Sequence, residues 1–190
     1  AVPVSASLFD YRDRRSWAFE GDRWFHAAST IKVAILACLY ATLRERGLDS
    51  HHRLEIRNQF ASVVDGSAYH VLASRDTDTG IHGSTDQTMS VGELAHRMIA
   101  ISGNLATNLL LEFIGADRAR RMLTDAGIAG VDLVRGVEDD RAFDAGISNR
   151  VTANGLVSLL RAILEGRFGS VDETRAMIAT LCAQTFTRGI

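Results

Sequence analysis

One segment limits the possible folds of this chain more than any other. Residues 30–46, TIKVAILACLYATLRER, carry apolar side chains on nearly every face of a helix, and Gly47 follows as a stop signal. A helix that is apolar on all sides is stable only where other elements cover it. The sequence therefore predicts a domain built around this helix, and 190 residues are enough to bury a sizeable core without staples.

The charge and hydropathy of the chain argue against two classes of partner. The formal net charge is −2, which provides no basic surface for a nucleic acid or an anionic membrane. No apolar run approaches the length of a transmembrane helix. Residues 1–15 lack the basic start and apolar block of a signal peptide, although a leader can be removed. The composition leaves the oligomeric state open.

The cysteines and histidines predict no metal centre. Cys38 lies inside the apolar helix and Cys182 near the end of another helix, so two buried free thiols are expected, with a disulfide as the alternative. The six histidines show no spacing typical of metal ligands.

The remaining pattern predicts two short strands followed by a helical block. The strands are residues 4–10 and 16–20, joined by a polar turn. Residues 49–70 are expected to form short helix and loop, residues 73–89 a polar loop, and residues 131–151 an irregular segment. Further helices are predicted at residues 90–101, 105–114, 117–126, 152–166 and 170–184, with Ser-x-x-Glu capping boxes opening the first and last of these.

Lys32 is the only lysine among 21 basic residues; the other 20 are arginine. Arginine stays protonated at any working pH, whereas a buried lysine can lose its proton. Ser29 lies three residues earlier, at the first turn of the apolar helix and on the same face. A neutral amine beside a hydroxyl makes a nucleophile and base pair. The structural alternative is that Ser29 caps the helix and Lys32 extends toward solvent.

A second polar group interrupts the helices at Ser102-Gly103-Asn104. Gly103 is expected to allow a tight turn that projects both polar side chains the same way. A hydroxyl there can relay a proton and an amide can hold a substrate carbonyl, although such a break is more often only a turn. Asn108, one turn further on, is expected to be a buried structural hydrogen-bonder.

These two groups resemble the paired motifs of class A β-lactamases and related penicillin-binding serine hydrolases. The resemblance rests on F-x-A-A-S-x-x-K at residues 25–32 and on M-I-x-x-S-x-N-x-A-T-N-L-L at residues 98–110, and it covers about residues 16–190. It implies an α+β fold with a helical domain packed on an antiparallel sheet, a β-lactam or D-Ala-D-Ala peptide as substrate, no cofactor, and a periplasmic or secreted location. The middle residue departs from the family's Ser-Asp-Asn, because Gly103 stands there.

The resemblance also implies roles for five residues of this chain. Ser29 would be the nucleophile and Lys32 its base, Ser102 a proton relay, and Asn104 a substrate-binding residue. Glu138 would hold the water that hydrolyses the acyl-enzyme. The family places this Glu two residues after an Arg and an Asn four residues after the Glu. Here Glu138 follows Arg135 by three residues, and Ala142 stands where the Asn is expected. The alternative that Glu138 only forms a salt bridge with Arg135 or Arg141 therefore stays open.

The family's third motif, Lys/His-Thr/Ser-Gly on a strand of the main sheet, does not occur in this chain. We therefore expect residues 1–28 to supply N-terminal strands of an incomplete sheet, residues 29–190 to form the helical domain with the site, and the C-terminal strands to belong to chain beyond Ile190. Two alternatives stay open at this point: a penicillin-binding peptidase that deacylates slowly, and a non-catalytic helical module of the same fold.

Overall fold

A computed structural model describes residues 2–186 of the chain. Ala1 and residues 187–190 lie outside the described residues. They are the outer ends of the two predicted parts, residues 1–28 and 29–190. The helices are α1 Ile31–Glu45, α2 Val91–Ala100, α3 Asn104–Ile114, α4 Ala116–Asp125, α5 Asp140–Asp144, α6 Ala153–Leu164 and α7 Val171–Cys182. The strands are β1 Ala6–Asp10, β2 Arg15–Phe19, β3 Phe25–His26, β4 Arg53–Glu55, β5 Phe60–Ala61, β6 Ala68–Tyr69, β7 Thr88–Ser90, β8 Val131–Asp132 and β9 Arg150–Val151.

Helix α1 forms the centre of the molecule, as its apolar sequence predicts. Twelve of its 15 residues are buried, and α2, α3, α4, α6 and α7 all pack against it. Lys32 is the charged residue in this buried set. The surrounding helices are amphipathic, which is the pattern expected of elements that cover a central apolar helix.

The strands form small antiparallel sheets, so the α+β class is confirmed. Strand β1 pairs with β2 in a hairpin, and among the described residues neither pairs with any other strand. A second sheet has the order β3-β9-β8. Because β3 leads directly into residues 28–30 and β9 follows the segment 133–149, this sheet brings the start of α1 beside that segment.

The prediction of short helix in residues 49–70 is wrong. This segment forms β4, β5 and β6 with loops between them. The turn between β5 and β6 contains Asp65-Gly66, and Gly66 has φ +74°. Asp-Gly is a common hairpin turn because glycine enters the left-handed region without steric cost. Strands of two or three residues carry too few alternating positions to show in the sequence pattern.

The two cysteines are both free, but only Cys38 is buried. Cys182 is exposed at the last residue of α7, which corrects the expectation that both thiols are buried. Within residues 2–186 no helix combines the length and apolar character needed to cross a membrane.

Candidate active site

Ser29 lies in an exposed turn immediately before α1. Residues Ala28–Thr30 form a short 3₁₀ helix, and Ala28 has φ +45°, a strained value for a residue with a side chain. The Ser29 side chain reaches two cavities, a polar one of about 400 Å³ and a mostly apolar one of about 520 Å³. An exposed hydroxyl at the junction of two cavities is accessible to a ligand from either side.

Lys32 is buried behind Ser29, with 2% of its surface exposed. Its Nζ donates to the carbonyl oxygen of Ser102 (2.7 Å) and contacts Ser102 Oγ (2.9 Å) and Asn104 Oδ1 (2.9 Å). Ser102 Oγ in turn lies 2.9 Å from Ser29 Oγ. The lysine is therefore linked to Ser29 through the Ser102 hydroxyl.

The predicted direct contact between Lys32 and Ser29 is absent from the described part of the chain. The i, i+3 spacing predicts a direct contact between Lys32 and the Ser29 hydroxyl, and no such hydrogen bond occurs among the described residues. The reason is that Ser29 belongs to the 3₁₀ turn, not to α1, so its side chain is displaced from the helical face that carries Lys32.

Burial lowers the pKa of Lys32 to about 8, although the charges of Asp76 and Glu138 act in the opposite direction. Removing an ammonium from water disfavours its charged form, and this effect exceeds the attraction of the two carboxylates. About a tenth of the molecules therefore carry a neutral lysine at pH 7.

The Ser102–Asn104 turn is strained at Ser102, which has φ +57°. The prediction that Gly103 adopts the special backbone conformation of this turn is wrong, because Gly103 has an ordinary φ of −61°. Its small size matters for a different reason, because a Cβ at residue 103 would lie 3.0 Å from the Cβ of Asp78. Gly103 lets the loop containing Asp76 and Asp78 pack directly against the turn.

Asp76 belongs to the candidate site, although no sequence pattern indicates it. Its side chain is fully buried, and it accepts hydrogen bonds from the backbone N–H groups of Asn104 (2.8 Å) and Leu105 (2.9 Å) at the start of α3. Burial alone would raise the pKa of Asp76, but these bonds and those from Asp78 and His82 hold it below its usual value. Asp76 therefore fixes the turn that carries Ser102 and Asn104.

Glu138 lies on the other side of Asn104 and lines the polar cavity. Asn104 Nδ2 donates to Glu138 Oε1 (3.2 Å), so one amide contacts both Lys32 and Glu138. Glu138 Oε2 forms an ion pair with Arg75 Nε at 2.6 Å. The expected alternative partners, Arg135 and Arg141, form no ion pair with Glu138 among the described residues. Glu138 has φ +61°, a strained backbone conformation of the kind that occurs at functional sites.

The segment that carries Glu138 is held by buried polar side chains. Asn108 accepts from the backbone N–H of Val137 (2.8 Å) and donates to its carbonyl (2.9 Å), which confirms its predicted structural role. Asn149 clamps the backbone of Arg135 in the same way. Ala142, at the position of the family's asparagine, is fully buried and brings no polar group to the cavity.

Sequence patterns could not reveal Arg75 and Asp76, because both come from an aperiodic loop that reaches the site only through tertiary folding.

The structure brings all five predicted residues into one continuous polar group. It contains an exposed hydroxyl, a second hydroxyl linked to a buried lysine, an amide, and a carboxylate beside a cavity. This set can deprotonate an alcohol, protonate a leaving group and activate a water molecule.

Solved structures share this fold. A β-lactamase from Sphaerobacter thermophilus is 22% identical, with a TM-score of 0.72 over 95% of this chain and 62% of its own. The chromosome-encoded β-lactamase of Vibrio parahaemolyticus is 18% identical, with a TM-score of 0.78 over 96% of this chain and 65% of its own. An engineered variant of the reconstructed last common ancestor of Gram-negative class A β-lactamases is 22% identical, with a TM-score of 0.77 over 96% and 64%. The chain thus spans less than two thirds of the length of these structures.

These likenesses define the fold as that of the class A-like β-lactamases. A sequence model described as the beta-lactamase enzyme family matches residues 3–190, and the chain belongs to that family. No curated protein matches the sequence at a significant level.

Proposed function

We propose that this protein is a serine hydrolase that opens β-lactams through an acyl-enzyme on Ser29. The observation that carries the proposal is the unbroken contact from Lys32 Nζ to Ser102 Oγ (2.9 Å) and from there to Ser29 Oγ (2.9 Å). Membership of the beta-lactamase enzyme family supports the substrate class. The family membership also supports a periplasmic or secreted location as part of the proposal.

The hydrogen-bond partners of Lys32 support one direction of proton movement. A neutral lysine has two N–H bonds and one lone pair. The carbonyl of Ser102 and Oδ1 of Asn104 can only accept, so they take the two N–H bonds, and the lone pair faces Ser102 Oγ. The Ser102 hydroxyl then donates to Lys32 and accepts from Ser29. When Ser29 attacks, its proton moves to Ser102 while the Ser102 proton moves to Lys32.

The same chain of groups can complete acylation. Ser29 Oγ forms a bond to the lactam carbonyl carbon, and the backbone N–H of Ser29 donates to the oxyanion. The ring C–N bond then breaks, and the nitrogen takes the Ser102 proton, which Lys32 replaces. Asn104 is placed to bind the acyl side of the substrate, and Glu138 can accept a proton from the water that later attacks the ester.

The test is intact-mass spectrometry after incubation with benzylpenicillin. We expect one adduct of the mass of the intact penicillin on the wild-type chain, located on Ser29 by peptide mapping. Ser29→Ala should give none, and Ser158→Ala should serve as a matched control with the wild-type result. An adduct that persists in Ser29→Ala, or no adduct on the folded wild-type chain, would contradict the proposal, and the latter would favour a non-catalytic module.

A second candidate function is a penicillin-binding peptidase that deacylates slowly. Two observations favour it: Glu138 Oε2 is engaged with Arg75 at 2.6 Å, and Ala142 provides no second ligand for the hydrolytic water. In this case acylation is fast and the acyl-enzyme accumulates, as expected for a D-Ala-D-Ala peptidase.

Turnover of a chromogenic cephalosporin distinguishes the two functions. For the hydrolase we expect a burst of one equivalent followed by a slower steady rate, because deacylation limits the cycle. For the slowly deacylating peptidase the burst should be followed by almost no further turnover. Glu138→Gln should lengthen the life of the acyl-enzyme about tenfold or more, since an amide cannot accept the proton of the attacking water. Glu112→Gln, which removes an exposed carboxylate elsewhere on the surface, should not change it. If Glu138→Gln deacylates at the wild-type rate, Glu138 is only an ion-pair partner of Arg75.

A further inference from the structure

Arg135 is a buried cation with few partners. Its side chain lines the polar cavity beside Ser29, yet only 7% of the residue is exposed. Among residues 2–186 it forms no ion pair within 4.0 Å, its Nη1 donates only to the neighbouring carbonyl of Gly136 (2.9 Å), and its buried Nε has no hydrogen-bond partner. A buried charge without a contacting ion-pair partner is costly, so this arrangement requires an explanation.

No carboxylate around the cavity lies within ion-pair distance of Arg135 among the described residues, so Arg135 interacts with Asp140 only at longer range, where, besides the hydrogen bond from Arg75, its charge helps to lower the pKa of Asp140. The short contacts of these carboxylates are with other groups, although Glu138 Oε2 accepts no hydrogen bond. Glu138 forms an ion pair with Arg75, and Asp140 accepts two hydrogen bonds from the same guanidinium (2.8 and 3.1 Å). Asp139 accepts from Ser62 Oγ, Val63 N and Ala142 N. The guanidinium of Arg135 is therefore left available at the wall of the cavity.

The backbone of Arg135 is fixed, so the side chain starts from a defined position at the wall of the cavity. Asn149 Oδ1 accepts from the N–H of Arg135 (3.1 Å), and Asn149 Nδ2 donates to its carbonyl (3.0 Å). The side chain also lies beside the Phe143 ring, with Cζ 6.0 Å from the ring centroid. A guanidinium presented in this way matches a carboxylate, which it binds through two parallel hydrogen bonds.

The positions of the proton relay and of Glu138 define which part of a substrate enters this cavity. Ser102 and Lys32 line the opposite, apolar cavity and protonate the leaving nitrogen under the proposed function. Asn104 and Glu138 line the cavity of Arg135, and Glu138 activates the water that attacks the acyl group. The acyl portion retained on Ser29 therefore faces Arg135.

We propose that the cavity beside Ser29 binds an anionic substituent on the acyl portion of the substrate through Arg135. This inference rests on the proposed function for the identity of the substrate, but not for the existence of the anion site. The preferred substrates are then β-lactams whose acyl side chain carries a carboxylate, in addition to the carboxylate on the ring.

The first test compares acylation by two penicillins that differ by one carboxylate, carbenicillin and benzylpenicillin. We expect the wild-type chain to prefer carbenicillin about tenfold or more in the second-order acylation rate constant, as is typical for a hydrogen bond between buried charges. Arg135→Met should reduce this ratio to about one, and Arg135→Lys should keep part of it. Arg141→Gln removes the same charge from the exposed part of the segment and should keep the wild-type ratio. A wild-type ratio of one, or a ratio that persists in Arg135→Met, would overturn the inference.

The second test does not depend on acylation. Calorimetry measures the binding of phenylmalonamate and of phenylacetamide, which differ by the same carboxylate, to Ser29→Ala. We expect phenylmalonamate to bind at least tenfold tighter, and Arg135→Met in the Ser29→Ala background to remove the difference. Thermal melting of each variant identifies any that fails to fold. Equal binding of the two amides to folded Ser29→Ala contradicts the anion site even if Ser29 is acylated by penicillins, whereas failure of acylation alone contradicts only the proposed function.

Discussion

At the scale of single residues, the demands on Lys32 conflict with one another. Its buried nitrogen needs hydrogen-bond partners to remain in place, and three oxygen atoms of Ser102 and Asn104 contact it. It also needs a low enough pKa to be neutral, and burial supplies this despite the charges of Asp76 and Glu138. The result is an amine whose protonation changes within the working pH range, as the proposed role of Lys32 requires.

We expect Lys32→Arg to be as damaging to acylation as Lys32→Ala. Arginine keeps the positive charge but cannot accept a proton, because its pKa lies above any working pH. The measurement is the rate of adduct formation with benzylpenicillin by stopped-flow quenching and mass spectrometry. Both variants should acylate at least a hundredfold more slowly than the wild type. An arginine variant that acylates at the wild-type rate would exclude Lys32 as the base.

The pH dependence of acylation follows from the same pKa. Only the neutral lysine is active, so the rate should fall about tenfold for each unit of pH below 8 and level off above it. Glu138→Gln removes one of the charges that raise the pKa of Lys32, so its acylation midpoint should move to lower pH. A rate that does not change between pH 6 and pH 9 would contradict this assignment.

At the scale of elements, the site depends on where helices begin. Asp76 supplies the carboxylate that satisfies the first N–H groups of α3, and the loop of Asp76 and Asp78 occupies the space beside Gly103. In the related motif this middle position carries an aspartate. Here a carboxylate reaches the start of α3 from a separate loop, and residue 103 has to be small for that loop to approach.

We expect Gly103→Ala to destabilise the protein by about 1–3 kcal/mol, since the added Cβ would lie 3.0 Å from the Cβ of Asp78. Gly83→Ala is the matched control, because a Cβ there meets no atom within 4 Å. Chemical denaturation gives the free energy of unfolding of both variants. If Gly103→Ala is as stable as Gly83→Ala, the loop does not pack against the turn as described.

Sequence patterns predicted the elements that have a clear period or cap. The helical bounds agree with the structure within about two residues at most ends, and the capping box of Ser170 and Glu173 is present in full. At the start of α2, Ser90 caps as predicted but the Glu93 side chain pairs with Arg97. Four of the five site residues, Ser29, Lys32, Ser102 and Asn104, come from the paired motifs, and Glu138 comes from the later segment that begins at Arg135. The contributions of Arg75 and Asp76 could not be predicted, because only tertiary packing brings their loop to the start of α3.

At the scale of the whole molecule, one helix provides the centre of the core and also carries the lysine of the proposed mechanism. Helix α1 is surrounded by five other helices, and this burial is what lowers the pKa of Lys32. The arrangement carries a cost, because the folded protein has to keep a partly charged lysine out of water while the unfolded chain does not. Stability and activity are therefore opposed at this residue.

The sign of this effect follows from proton linkage. The pKa of Lys32 is about 8 in the folded protein and close to 10.5 when unfolded, so between these values the unfolded chain binds more protons. The contribution of Lys32 to the free energy of unfolding is unfavourable below pH 8 and becomes less so as the pH rises toward 10.5. The full difference corresponds to about 3 kcal/mol, at about 1.4 kcal/mol for each pKa unit.

We therefore expect the stability of Lys32→Met relative to the wild type to depend on pH. The methionine variant should lose about 2 kcal/mol of its relative stability between pH 7 and pH 10. The reason is that the unfavourable contribution of Lys32 to the free energy of unfolding of the wild type decreases over that range. The absolute difference at one pH also contains the cost of leaving Ser102 and Asn104 without their donor, but that cost does not titrate, so the change with pH isolates the lysine. Arg12→Met removes the same charge from a side chain that is 95% exposed, and its stability relative to the wild type should stay constant. Urea unfolding at each pH provides the measurement, and titrations shared by all three proteins cancel in the comparison. If the Lys32→Met difference is as flat as that of Arg12→Met, Lys32 has an ordinary pKa in the folded protein and cannot be the neutral base that the proposed mechanism requires.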